Sequence, residues 1–193
     1  MLHEKYKDYK IILASQSPRR QMLLKGLDIP FEIRLMDVEE NYPSHLKKED
    51  IALYLSELKA SAFNETMDDK TLVITADTIV CINNKVLGKP KDFDDAVNIL
   101  TQLSGNMHEV ITGVCLKTRE KTKSFYALTK VYFKKLSQKE IKYYITNYKP
   151  YDKAGAYGAQ EWIGYIAIER IEGSYFNVMG LPTRLLYEEL MKF

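Results

Sequence analysis

Between Thr71 and Ile82 the chain strings together Leu72, Val73, Ile74, Thr75, Ile79 and Val80, and a single charge, Asp77, interrupts the run. β-branched and apolar residues in such density read as a central strand. Everything else must be arranged around it. Strand and helix periods alternate on both sides. Ile11–Ala14 reads as a short buried strand. Ser17 is placed to cap a helix whose first residue is Pro18, where the missing N–H costs nothing. That helix runs through Leu24 and stops near Gly26. Phe31–Leu35 alternates as a second strand. Pro43 and Ser44 open a helix with the apolar stripe Ile51, Leu55, Leu58 and Ala62. Asp92 caps a third, with core face Phe93, Val97, Leu100 and Leu103, closed by Gly105. Val110–Lys117 and Phe125–Phe133 read as neighbouring strands. Ser137 and Glu140 form a capping box for a helix to about Asn147. Trp162–Ile171 alternates as a strand, and Pro182–Met191 is a final helix. No repeat or linker divides residues 1–193, so one domain of the α/β class, or α+β around a mixed sheet, is expected.

Composition narrows the functions open to such a domain. The 193 residues are 46% hydrophobic and 28% charged, which suits a packed core and not a disordered chain. A net charge of +2 predicts no strong sequence-independent attraction to nucleic acid. No apolar stretch reaches the roughly 18 to 20 residues that span a bilayer. The charged segment Met1–Lys10 does not read as a signal peptide. Cys81 and Cys115 sit in strand-like runs and read as reduced core residues of a cytoplasmic protein. His3, His45 and His108 are scattered without zinc-ligand spacing.

Chemistry concentrates in a few segments. In Ala14-Ser15-Gln16-Ser17-Pro18-Arg19-Arg20 two arginines occupy the first turn of a helix, where the dipole disfavours them. The free N–H groups and two guanidinium forks make an anion site; the plain alternative is two solvated arginines. Asp77 must end a strand, pair with a cation, bind a metal or make turn hydrogen bonds, since a lone buried carboxylate is costly. Lys59 flanks the apolar stripe of its helix and either snorkels along the core edge or points into a cleft. In Leu87-Gly88-Lys89-Pro90, Pro90 holds Lys89 extended. Glu39 and Glu40 are a solvated acidic pair or offer a magnesium ligand. Asp152-Lys153-Ala154-Gly155-Ala156-Tyr157-Gly158-Ala159-Gln160 reads as a loop pressed close to something, and Gln160 carries a donor and an acceptor suited to a base edge. Glu172–Pro182 is a glycine-bounded loop entering a helix N-terminus. Phosphate-loop, dinucleotide-binding and serine-hydrolase elbow motifs are absent.

Taken in order, Ala14–Arg20, Glu40, Lys59-Ala60, Ala76-Asp77-Thr78-Ile79-Val80, Gly88-Lys89-Pro90, Leu103-Ser104-Gly105, Asp152–Gly158 and Gly173–Pro182 resemble the Maf family of nucleoside triphosphate pyrophosphatases, historically described as septum formation proteins. The resemblance spans nearly everything from Ile11 onward. It implies a fold similar to that of inosine triphosphatases, with a central cleft between two lobes, a divalent metal (Mg2+ or Mn2+) and commonly a homodimer. It implies Asp77 as proton acceptor, and Ser15, Arg19, Arg20, Lys59 and Lys89 around the triphosphate. Glu40, with Asp77, would hold metal. Arg19, Thr78 and Gln160 match the branch acting on dTTP and UTP; the branch acting on 7-methyl-GTP has tryptophan, glutamine and glutamate there. Ala159 departs from the larger aliphatic residue of the family pattern. The expected reaction is hydrolysis of dTTP or UTP to monophosphate and pyrophosphate. A 7-methyl-GTP pyrophosphatase and a division regulator that binds nucleotide without turnover are the alternatives.

Overall fold

The computed structural model describes every residue from Met1 to Phe193. In chain order the elements are α1 (Leu2–Lys5), β1 (Lys10–Leu13), α2 (Pro18–Lys25), β2 (Glu32–Ile33), α3 (Glu49–Ser61), β3 (Thr71–Ile82), β4 (Lys85–Leu87), α4 (Phe93–Leu103), β5 (Met107–Lys117), β6 (Thr122–Phe133), α5 (Gln138–Tyr148), α6 (Trp162–Ala167), β7 (Ile168–Glu172), α7 (Tyr175–Val178) and α8 (Thr183–Lys192). Seven strands form a mixed sheet in the order β2-β1-β3-β5-β6-β7, with β4 also on β3. The chain divides into two compact units, and it passes from one to the other inside β3, β5 and β6 and again between Met179 and Gly180.

The first unit comprises Met1–Asp77, Thr112–Ala127 and Gly180–Phe193. Its β1 pairs in parallel with β2 and with the first half of β3, in the register Ile12↔Val73 and Leu13↔Ile74. Ile11, Ile12 and Leu13 on β1 and Leu72, Val73 and Ile74 on β3 are all buried, the unbroken apolar pattern of strands covered on both faces. The α3 helix is pinned to the strand beside it by the Thr75 hydroxyl, which donates to the Ser56 carbonyl at 2.6 Å. Tyr6 donates to the Leu190 carbonyl at 2.7 Å, tying α1 to α8.

The second unit comprises Thr78–Ile111 and Leu128–Met179. Its core gathers Val80, Leu87, Ile99, Leu100, Leu103, Val131, Phe133, Ile141, Tyr144, Ile145 and Ile163. β4 folds back antiparallel on the end of β3, and β7 pairs antiparallel with β6. Ser104, capping the end of α4, accepts from the Leu136 N–H at 2.7 Å and so holds the two helix ends α4 and α5 in contact.

Several local expectations hold. Ser17, Asp92 and Ser137 cap their helices through their side chains, with Glu140 closing the expected box. Others are corrected. Pro43 and Ser44 open no helix: the Pro43 carbonyl accepts from Leu46 N–H in a turn, and α3 starts only at Glu49, where Glu49 and Asp50 meet the positive end of the dipole. The strand expected over Phe31–Leu35 shrinks to Glu32–Ile33. α2 does stop at Gly26 as expected, but Gly26 stays right-handed at φ −67° and Asp28 takes the left-handed turn at φ 53°. Trp162–Ile171 splits into α6 and β7. That run is apolar at almost every position, so its period is ambiguous. Gly164 decides it: a Cβ there would lie 1.9 Å from the Ala159 carbonyl oxygen, so only glycine lets the helical turn seat against the turn at Ala159-Gln160.

Candidate functional site

The geometry of the first unit assembles charge around the end of its β3 segment. Asp77 is the last residue of that segment and is buried. Lys59, on the final turn of α3, places its ammonium 2.5 Å from Asp77 Oδ1 and 3.0 Å from Glu40 Oε1. Lys59 therefore does not snorkel along the core edge. The loop before α3 brings Glu40 to it, while Glu39 turns aside and accepts from the Asn41 side chain at 2.6 Å.

Arg19 and Arg20 stand in the first turn of α2, which contains no acidic residue. Ser17 Oγ accepts from Arg20 N–H, and Ser15 Oγ, buried, accepts from Ser17 N–H at 3.2 Å. The strand-to-helix turn is thus stitched by two hydroxyls. The Arg20 side chain donates through Nε to the Gly180 carbonyl at 2.8 Å, which fixes the direction of its guanidinium. Burial pulls the Arg20 pKa down from its ordinary value; Asp77 pushes it back up, Arg19 lowers it, and Glu40 raises it. These four groups feel one another, and with Lys59 they set three cations against two carboxylates. A local excess of positive charge on a nearly neutral protein is an arrangement for receiving an anion.

Glu40 and Asp77 converge on one ammonium, so two hard oxygen donors already face a shared cation. Magnesium is typically held by one or two carboxylates with the remaining positions taken by phosphates and water. The pair fits that role. No group of three or more His, Cys, Asp or Glu side chains gathers into an all-protein cage.

The remaining expected residues belong to the second unit. Thr78 follows Asp77 along β3 and is partly buried. Lys89 is exposed, next to a buried Pro90, and the Gly88 carbonyl accepts from Gly155 N–H at 3.1 Å. Gln160 ends the loop that begins at Asp152. Its Oε1 is shielded from solvent and accepts no hydrogen bond from the protein.

The residue-by-residue reading missed a second ion group in that loop. Lys153 is buried, and its ammonium lies 2.7 Å from Asp152 Oδ1 and 3.2 Å from Glu161 Oε1. The Tyr144 hydroxyl donates to the other Glu161 oxygen and accepts from Gly158 N–H at 3.0 Å. Burial, then the hydrogen bond to Glu161, drive the Tyr144 pKa far above its ordinary value, so the phenol stays a donor. A signal existed: Tyr144 shares the apolar face of α5 with Ile141 and Ile145, and a tyrosine on a core face needs a partner for its hydroxyl. Nearby, His108 is buried against Phe133 and Tyr157, with Nε2 2.8 Å from the Tyr157 hydroxyl; burial lowers its pKa to about 4. Cys81 and Cys115 are buried and form no disulfide.

Comparison with known proteins bears on the chain as a whole. The family model described as Maf-like protein matches residues 10–193. A protein of Flavobacterium johnsoniae named dTTP/UTP pyrophosphatase is 56% identical over 190 residues, covering 98% of each chain. One of Porphyromonas gingivalis with the same name is 55% identical over 190 residues, covering 97% of this chain and 96% of its own. Among solved structures, the nucleoside-triphosphatase / dITP/XTP pyrophosphatase of Mycobacterium abscessus overlaps 64% of this chain and 72% of its own, with a TM-score of 0.41 and 15% identity.

Proposed function

The chain belongs to the Maf-like protein family, and we propose that it hydrolyses dTTP and UTP to the nucleoside monophosphate and pyrophosphate. The observation that carries this reading is the Lys59–Asp77–Glu40 ion group beside Arg20. Catalysis of phosphoryl transfer rests on positioning and on charge stabilisation, and both are supported by these residues. Arg19, Arg20 and Lys59, joined by Lys89, neutralise the phosphate oxygens. Ser15 holds the turn that presents the arginines. Asp77 accepts the proton of a water whose oxygen attacks the α-phosphorus. The bond from that phosphorus to the bridging oxygen breaks, and pyrophosphate leaves with the electron pair. Glu40 and Asp77 would hold a divalent cation, Mg2+ or Mn2+, which supplies Lewis-acid charge to the phosphates.

Gln160 supports the base assignment. An acceptor oxygen withheld from water and from protein donors costs about 1–3 kcal/mol and is relieved by a base N–H. Thymine and uracil present an N–H at ring position 3, whereas cytosine presents an acceptor there. Thr78 completes the branch-specific set with Arg19 and Gln160. The two relatives share the dTTP/UTP name across nearly their whole length. The test is pyrophosphate release from dTTP, UTP, CTP, GTP and 7-methyl-GTP with magnesium or manganese. Turnover is expected to favour dTTP and UTP. A preference for 7-methyl-GTP overturns the base assignment, and tight binding without release from any of them makes the chain a nucleotide sensor. Gln160→Glu is expected to weaken dTTP and UTP use, since an acceptor-only group has lost its donor.

A further inference from the structure

The second ion group is built around the residue that follows Gln160. Glu161 is held at four points. Its main-chain carbonyl accepts from Gly164 N–H at 2.8 Å, starting α6. One carboxylate oxygen faces the Lys153 ammonium at 3.2 Å, and the other accepts from the Tyr144 hydroxyl. The carboxylate also fills the space beside Gly158: a Cβ on that glycine would lie 2.8 Å from the Glu161 carboxyl carbon. Because Gly158 N–H donates to the same Tyr144 hydroxyl, the chain on both sides of Ala159-Gln160 is tied to one phenol. Gln160 itself has an Oε1 that no protein donor reaches. Its aim is therefore set by its neighbours along the chain and not by its own hydrogen bond.

We propose that Tyr144, Glu161 and Lys153 are positioning residues for Gln160, and that they set base selectivity without taking part in the chemical step. The inference rests on the reading of Gln160 as the base-contacting residue. The physical case is one of pre-organisation. A side chain contributes selectivity only if it is held where the base edge arrives, and a half-buried carboxylate one residue away, engaged through both oxygens, removes the backbone freedom that would blur it. The loop holds a buried charge, Lys153, whose ammonium is engaged by Asp152 and Glu161. Ordinary loop packing would be served as well by apolar side chains.

The experiment compares kcat and KM of the full chain for dTTP, UTP and CTP, in wild type, Tyr144→Phe, Glu161→Gln and Gln160→Ala, with circular dichroism confirming the fold. Tyr144→Phe keeps the ring that stacks on Tyr148 at 5.1 Å and removes only the hydroxyl. It is expected to raise KM for dTTP and UTP about tenfold, the size of one net hydrogen bond, with kcat within about twofold and CTP unchanged. Glu161→Gln, which preserves an acceptor for Tyr144, is expected to show the same pattern more weakly, and it decides the matter if Tyr144→Phe does not fold. A loss in kcat shared equally by all three nucleotides, or an unchanged dTTP to CTP ratio in both variants, overturns the proposal. If Gln160→Ala erases selectivity while Tyr144→Phe does not, only the positioning role falls. If Gln160→Ala leaves selectivity intact, the base reading falls and the positioning role with it.

Discussion

Lys59 and Lys153 occupy the same kind of place. Each ammonium stands between two carboxylates, at 2.5 and 3.0 Å for Lys59 and at 2.7 and 3.2 Å for Lys153. What surrounds them differs. Lys59 has Arg20 and Arg19 in the same electrostatic neighbourhood, so cations outnumber carboxylates three to two. Lys153 is a single cation for two carboxylates, and the spare oxygen of Glu161 is taken by a neutral phenol that is itself hydrogen-bonded. The first group has capacity left for an anion; the second carries surplus negative charge. Similar pairwise distances therefore say little about role. The sign of the surplus charge and the occupancy of the remaining lone pairs decide it.

That contrast can be broken by substitution. The largest effect is expected from Asp77→Asn, which keeps the shape but cannot take a proton: pyrophosphate release should fall about a thousandfold, with the melting temperature close to wild type. A near-normal rate would remove Asp77 from the mechanism. Lys59→Met should slow turnover about a hundredfold while leaving the ratio of dTTP to CTP use unchanged, as measured by steady-state kinetics on both. A change mainly in that ratio would place Lys59 with base reading instead. Lys153→Met should do the reverse, shifting the ratio and lowering stability by about 2 kcal/mol in denaturant titration. That figure is below the usual value for breaking a buried pair because Asp152 is largely exposed. A kinetic loss as large as that of Lys59→Met would erase the distinction between the two groups.

Acid provides the smallest and most selective probe. His108 lies buried in the second unit with a pKa lowered to about 4, while His3 and His45 of the first unit are exposed. A folded pKa below the ordinary value near 6.5 means that the unfolded chain takes up the proton first. The stability is therefore present above about pH 6.5 and is lost as pH falls toward 4. By pH 5.5 the loss should be about 1 kcal/mol, seen in denaturant titrations at pH 7.5 and 5.5, and His108→Gln should remove it. Stability that rises on acidification over that window would refute the assignment.

Much of the first ion group was legible residue by residue. Two arginines at a helix start and a carboxylate inside an apolar strand are each unfavourable alone, and unfavourable placements ask for partners. The identity of the partner was not legible. Lys59 reads equally as a snorkelling side chain until α3 is seated on β3 through Thr75 and Ser56. Glu40 reads as solvated until its loop reaches the same ammonium. The second group was hidden for a different reason: its members come from α5 and from a loop of small residues, and Tyr144, 17 residues from Glu161, looks in sequence like another core aromatic.

What the amino-acid order determined by itself was local and periodic. Ser17, Asp92 and the Ser137–Glu140 box mark helix starts because a cap is satisfied within four residues. Thr71–Ile82 is a strand because its side chains have no favourable helical face. Tertiary structure decided what depends on neighbours distant in the chain. Trp162–Ala167 became a helix because Gly164 could approach Ala159, while the same apolar letters fit a strand equally well. Asp77 acquired its partners only when helix, loop and strand met, because a charge is stabilised by what lies within a few ångströms of it in space, and sequence spacing does not report that distance.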